Sequence, residues 1–539
     1  LKQCTARRKP SDLGACPWLA QWLMPSPALA SDEELDVRIA VTGGEADLGG
    51  VTPVLVSVRP PAGDKRTPSD ICCVVDVSGS MGSEAMVQSE AGVTAGHGLS
   101  VLDVVVHAMK TIIRNLEEFD RLALIAYSNE AKVVFGLTAM DATGRTLTEN
   151  KLQDLVPYGM TNLWDGLKHG LDLLKSENEP GRLQHIMLFT DGLPNISPPR
   201  GILPMLQRLK DKEGGRLPCT VSTFGFGYEL DSDLLSQLAS MGCGTYAFIP
   251  DAGFVGTVFV NAMANLLVTM ATDVSVSIEP REGVVLEESQ VGGYPLTQVA
   301  GSAKTSLGTL QFGQSKDIIL NVRMPSGMPA SEAVQVTVTY LARNSSSQFV
   351  TVKDVRIPGV TDAASVEVNR CRLHFIGAIK QGMKAATLTP ADKAGGKTVE
   401  QLLPEAQKLI QDATSAIRSS KSCGSKEQVR DLLEDLQGQV AEAFSRQDWY
   451  SKWGVHYLPS VMCAHLNQIC NNFKDPGVQH YGGTLFEVLR DKADDIFCNL
   501  PAPTPGPKMG PVDTMGGAPR VAANAAPIDM AVFNDRHCG

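Results

Sequence analysis

Ile71-Cys72-Cys73-Val74-Val75-Asp76-Val77-Ser78-Gly79-Ser80-Met81-Gly82 is the stretch that decides the fold of this 539-residue chain. Its opening five residues form a short apolar run with no alternation, the pattern of a parallel strand covered on both faces. The run ends in an acid and two serines set among glycines. Gly79 and Gly82 allow the backbone to turn tightly there. In open α/β sheets, ligands bind in the crevice outside the carboxyl ends of the strands. Asp76, Ser78 and Ser80 are therefore placed where chemistry is expected.

Working outward, residues 70–272 alternate short apolar runs with helical periods. A helix is expected at 99–116, then strands at RLALIAYS and AKVVFGL, and a second helix at 162–175. HIMLFTDG reads as another buried strand, GILPMLQRLKDK as a helix and CTVSTFGFG as a strand. DSDLLSQLASMG, GTYAFIP and 254–271 follow as helix, strand and closing helix. Such alternation implies a mostly parallel, Rossmann-like sheet with helices on both faces.

The flanks differ. Leu35, Val37, Ile39 and Val41 alternate, as do Val54, Val56 and Val58. So do Val274, Val276 and Ile278, then Ile318, Leu320 and Val322, then Val334, Val336, Val338 and Tyr340. This is β-sandwich patterning, and the two flanks are expected to pair around an inserted α/β domain. From 363 the period turns helical, with Leu402, Leu403, Ala406, Leu409, Ile410 and Ala413 on one face. Val429, Leu432, Leu433, Leu436, Val440, Ala443 and Phe444 line another. The expected multidomain layout is a tail at 1–34, strands at 35–66, the α/β domain at 67–272 and a sandwich at 273–360. A helical region at 361–500 and a Pro-rich linker and tail at 501–539 complete it.

Composition narrows the function. A net charge of −11 leaves no basic face for a phosphate backbone, which argues against nucleic-acid binding. No apolar run reaches the length of a membrane-spanning helix. Residues 16–30 are apolar but broken by Pro17, Pro25 and Pro27, and read as tail rather than as a signal segment. The twelve cysteines follow no regular spacing, and adjacent Cys72 and Cys73 point to opposite faces of a strand. That usage fits a reducing compartment, and a cytoplasmic setting is expected, with secretion the alternative.

Two further segments end at the same edge of the sheet: Gly159-Met160-Thr161-Asn162 before a helix, and Thr190-Asp191-Gly192 after a strand. Asp76, Ser78, Ser80, Thr161 and Asp191 together offer two carboxylates and three hydroxyls. That set suits a hard octahedral cation, Mg²⁺ (or Mn²⁺), with water filling the remaining positions. Two carboxylates only balance the ion, and hydroxyls donate little electron density. An open coordination position would then attract an outside carboxylate.

D-x-S-x-S, a downstream Thr in a G-x-T-N context and a T-D-G turn resemble the metal-ion-dependent adhesion site of von Willebrand factor A (VWA) domains. All five of its residues are present in order, over about 200 residues; Met160 departs from the Gly often found there. The resemblance implies metal contact by Ser78, Ser80 and sometimes Thr161, with Asp76 and Asp191 partly water-mediated. It also implies a protein partner that supplies a carboxylate, and movement of the closing helix on engagement. Residues 360–504, with WGVHYLPSVMCAHLNQICNNFKDPGVQHYGGTLFEVLRDKADDIF, resemble the helical region of VWA proteins joined to Hint (intein-like) or ubiquitin-ligase modules. This implies a eukaryotic, intracellular protein.

The chain is thus expected to be a Mg²⁺-dependent interaction module and not an enzyme. Alternatives are a part of a self-processing precursor, with Cys538 as a first Hint residue, or a ubiquitin-pathway scaffold. A metal-dependent hydrolase lacks a nameable general base. Zinc at His456, Cys463, His465 and Cys470 is disfavoured by spacing, Cys463 and Cys470 being read as one buried helical face. Asn344-Ser345-Ser346 is a glycosylation sequon without weight in a reducing compartment.

Overall fold

The structure, a computed structural model, describes residues 35–506 apart from 42–50, 64–65, 89–93, 288–289, 292, 300–301, 326–332, 343–348, 354–359 and 421–424. The expectations for the 1–34 tail, the Asn344 sequon and Cys538 lie outside these residues.

Asp36–Val41 (β1) and Val51–Arg59 (β2) pair antiparallel, Val37 opposite Val58 and Ile39 opposite Val56. The chain then enters a six-stranded sheet of Ser69–Asp76 (β3), Arg121–Tyr127 (β4), Ala131–Ala139 (β5), Leu183–Thr190 (β6), Thr220–Phe226 (β7) and Cys243–Ile249 (β8). Its order is β8-β7-β6-β3-β4-β5, parallel except for the antiparallel β4–β5 edge. β3, β6 and β7 are buried along their whole length, which is why their apolar runs lack alternation.

Val101–Asn115 (α1), Ala142–Leu152 (α2), Leu163–Ser176 (α3), Ile202–Lys212 (α4), Ser232–Met241 (α5) and Val255–Leu267 (α6) accompany the sheet. Cys73 and Val75 face α1 and α6 from one side, while Cys72 and Val74 face α3 and α5 from the other. Helix α2 escaped the sequence pattern because only Gly144, Thr148 and Leu152 of it are buried, too few to mark an apolar stripe. The hairpin of Glu84–Gln88 and Thr94–Ser100 was also missed. The closing helix is shorter than expected. It stops at Leu267, and Thr269–Pro280 (β9) is already a strand paired with its neighbour through Thr269 and Gln311. The apolar stretch 266–271 carries neither period clearly, so pairing decides its state.

β9 lies between Ser302–Gln311 (β10) and Val334–Ala342 (β12), whereas Lys316–Arg323 (β11) joins the other sheet beside β2. Val54 sits opposite Leu320 and Val56 opposite Ile318. The two five-stranded sheets close over a shared core that includes Val54, Val56, Val58, Val276, Ile278, Leu320 and Val338. The α/β domain is therefore inserted between β2 and β9 of a sandwich.

The helical region comprises Ala363–Ala385 (α7), Val399–Arg418 (α8), Glu427–Asp435 (α9), Val455–Asn467 (α10) and Thr484–Asn499 (α11), among shorter turns. Leu403, Ala406, Ile410, Ala413, Val429, Leu432, Val440 and Phe444 meet in one core. Helix α10 lies against β8 and α5, and α11 against α6 and α1. Cys463 and Cys470 do not share a helical face. Gln468 adopts a left-handed φ of 52° that ends α10, and Cys470 lies beyond it. The start of the segment read as a Pro-rich linker is docked on the fold: Pro503 is buried and the Gly506 amide donates to Asp103 Oδ1 at 2.7 Å. Among the described residues, no helix is long and apolar enough to cross a membrane.

Candidate metal centre

Asp76 is the last residue of β3, and Thr190 is the last of the adjacent β6, so the segments that follow diverge at one edge of the sheet. The Ser78 amide donates to Asp76 Oδ1 at 2.8 Å, which folds the 76–80 turn back on its own strand. Ser78 Oγ lies 3.1 Å from Ser80 Oγ, and the Ser80 hydroxyl donates to Asp191 Oδ1 at 2.7 Å. Thr161 comes from the loop before α3. A methyl on Gly192 would stand 3.4 Å from Ser80 Oγ and 3.9 Å from Thr161 Oγ1, so both hydroxyls face the same small space. All five expected residues are brought together. Asp76, Ser78, Thr161 and Asp191 are buried, while Ser80 is exposed and marks the opening.

Several residues support the centre in ways the sequence did not indicate. Thr190 Oγ1 donates to Asp76 Oδ2 at 2.7 Å and fixes that carboxylate from behind. The Thr161 amide donates to Asn195 Oδ1 at 2.7 Å, and the Met160 amide to Asn129 Oδ1 at 2.9 Å. The Gly79 amide donates to Gly159 O at 3.1 Å, and the Tyr158 amide to Val77 O at 2.7 Å, tying the first two loops together. Such cross-links join atoms far apart in the chain, which composition and spacing do not reveal.

The electrostatics fit a cation. Burial raises the Asp76 carboxyl above its ordinary value, against the opposing hydrogen bonds from Thr190 and Ser78. Asp191 is pushed up to about 6, chiefly by burial, with the Ser80 bond lowering it and the charge of Asp76 raising it further. Two buried carboxylates are thus held close enough for the charge of one to raise the other, a state that a divalent ion would relieve. The donors are all oxygen, as Mg²⁺ or Mn²⁺ prefers. Among the described residues, no three His, Cys, Asp or Glu gather as a metal set. The two histidines of α10 contact protein groups instead. His456 Nδ1 lies 2.6 Å from Ser232 Oγ and its Nε2 3.0 Å from Tyr228 O, while His465 Nδ1 lies 2.9 Å from the Tyr481 hydroxyl.

Comparison with known proteins agrees with the fold. Residues 70–259 match the family described as von Willebrand factor type A domain, and residues 426–495 that described as VWA / Hh protein intein-like. The uncharacterized protein YfbK of Escherichia coli is 26% identical over 227 residues, 42% of this chain and 36% of its own. The E3 ubiquitin-protein ligase WAV3 of Arabidopsis thaliana is 24% identical over 323 residues, 58% of this chain and 39% of its own. The chain thus spans less than half of either relative. A von Willebrand factor type A structure from Catenulispora acidiphila superposes with a TM-score of 0.55 at 16% identity, covering 79% of this chain and 96% of that one. With bacterial as well as plant relatives, the resemblance does not single out a eukaryotic source, contrary to the expectation from sequence. The chain carries a von Willebrand factor type A domain at residues 70–259, followed by a VWA / Hh protein intein-like region at residues 426–495.

Proposed function

We propose that this chain is a protein-interaction module in which Asp76, Ser78, Ser80, Thr161 and Asp191 hold Mg²⁺ (or Mn²⁺) and a carboxylate of a partner protein completes the coordination. The observation that carries this is the meeting of three distant segments at one sheet edge, with Ser80 exposed and the carboxylates of Asp76 and Asp191 buried beside it. Bound metal would supply a positive, electrophilic centre. The Asp76 and Asp191 carboxylates, restrained by Thr190 and Ser80, would hold it in place. Binding rather than hydrolysis is the function proposed for this set.

Engagement would be felt by α6. Its Phe259 stacks on Phe224 and Phe189 of the central strands, and its Val260 meets Ala493 and Phe497 of α11. A shift of α6 would therefore carry α11 with it. A reducing, cytoplasmic setting is part of the proposal, and the buried thiols of Cys72, Cys73 and Cys219 are consistent with it. The test is capture of proteins from the native cell extract by the full chain. Capture is expected with Mg²⁺, to be lost in EDTA and lost in Asp76→Ala. Capture that persists in EDTA overturns the reading.

The intein-like match at 426–495 favours one second reading, a role upstream of a self-processing module beginning near Cys538. A longer gene product whose cleavage is abolished by Cys538→Ala would establish it. A scaffold role in a ubiquitin pathway, suggested by the name of the WAV3 relative, would show as co-purification with ubiquitin-conjugating activity.

A further inference from the structure

Among the described residues ten large apolar side chains are exposed, and three of them border the candidate metal centre. Tyr158 (46% exposed) and Met160 (46%) belong to the loop that delivers Thr161, and Leu193 (55%) follows Asp191 and Gly192. They are not on slack loops. The Tyr158 amide is bonded to Val77 O, the Met160 amide to Asn129 Oδ1, and the amides of Asn195 and Ile196 to Thr161 O at 3.2 and 3.3 Å. Their backbones are thus fixed to the same frame that positions the metal-facing oxygens. Ser80 opens to solvent between these two loops.

The geometry points to an apolar rim that selects the partner: a loop or extended segment of another protein carrying one Asp or Glu with a bulky apolar residue on each side. This rests on the metal reading above and deepens it. A carboxylate meets the bound cation by charge complementarity, while its apolar neighbours cover Tyr158, Met160 and Leu193. Covering them expels water from around the metal–carboxylate bond, and that bond strengthens as the local dielectric falls. Well-packed apolar contacts surrounding a central polar anchor are the arrangement of binding hot spots. A partner acid flanked by glycines or lysines would leave the three side chains wet and gain less.

The experiment pans a displayed library of random heptapeptides over the full chain in MgCl₂. In parallel it uses the variant carrying Tyr158→Ser, Met160→Ser and Leu193→Ser. Because these side chains are exposed, the variant is expected to fold and to take up Mg²⁺ as the wild type does, which calorimetry checks. The wild type should enrich peptides with an Asp or Glu between large apolar residues, released by EDTA. The variant should bind those peptides at least about tenfold more weakly. Enriched acidic peptides that are EDTA-sensitive but show no apolar flanks, or equal binding by the variant, overturn the rim while leaving the metal reading intact. Apolar peptides without an acid, resistant to EDTA and lost in the variant, support the rim as a docking surface and overturn the metal reading. Failure to enrich any peptide overturns the rim.

Discussion

Gly159 shows how a single residue holds the centre together. Its φ is +75°, a conformation costly for residues with a side chain, and a methyl there would lie 2.9 Å from Asn129 Oδ1. That same oxygen accepts the Met160 amide, and the Gly159 carbonyl accepts the Gly79 amide. Gly159→Ala should therefore lower stability by about 1–2 kcal/mol and weaken Mg²⁺ uptake at the same time. Urea unfolding and a metal titration of the variant check both, and an unchanged midpoint would contradict the strain assigned here. At this scale the five oxygen-bearing side chains were legible, because their types and strand-end positions carry chemical meaning. Thr190, Asn129 and Asn195 were not legible as supports. A hydroxyl or amide that braces a remote loop looks the same in sequence as one that faces water.

Elements were legible where one face or one run is apolar, and illegible elsewhere. Strands β3 and β6 and helices α8 and α9 announced themselves, whereas α2 buries too little to leave a stripe. What an element packs against is a separate matter, and α9 illustrates it. Its last residue, Asp435, is buried, accepts the Gly477 amide at 2.8 Å and stands 3.8 Å from the fully buried His465. Burial pushes Asp435 up to about 7 from 3.8, so between those values the unfolded chain releases a proton that the fold retains. The carboxyl therefore opposes folding more as pH rises through 7, and least below the unfolded value. Asp435→Asn carries no such proton and can still accept from Gly477. The stability of the variant relative to wild type should grow by on the order of 2 kcal/mol between about pH 5 and pH 8. Paired denaturant curves at the two pH values measure this, and a flat or declining difference would contradict it.

Across the whole molecule the helical region braces the other layers through polar contacts. His456 reaches Ser232 and Tyr228 of the type A domain, Asn265 Nδ2 donates to Cys470 O at 2.6 Å, and Arg372 Nη2 donates to Asp317 O of β11 at 2.5 Å. The sandwich joins by β2–β11 pairing across the inserted domain. The alternating strands on both sides of the insertion made that pairing foreseeable. The bracing was not, since His, Asn and Arg at an internal interface read in sequence as surface residues. At the carboxyl edge of the sheet, Asp191 accepts the Ser80 hydroxyl and feels the charge of Asp76. Calorimetric titration of the full chain with MgCl₂, repeated with MnCl₂ and with Asp76→Ala, tests the centre most directly. One saturable site in the wild type, absent from Asp76→Ala, is the predicted result. No uptake of either ion by the wild type, or undiminished uptake by the variant, would contradict it.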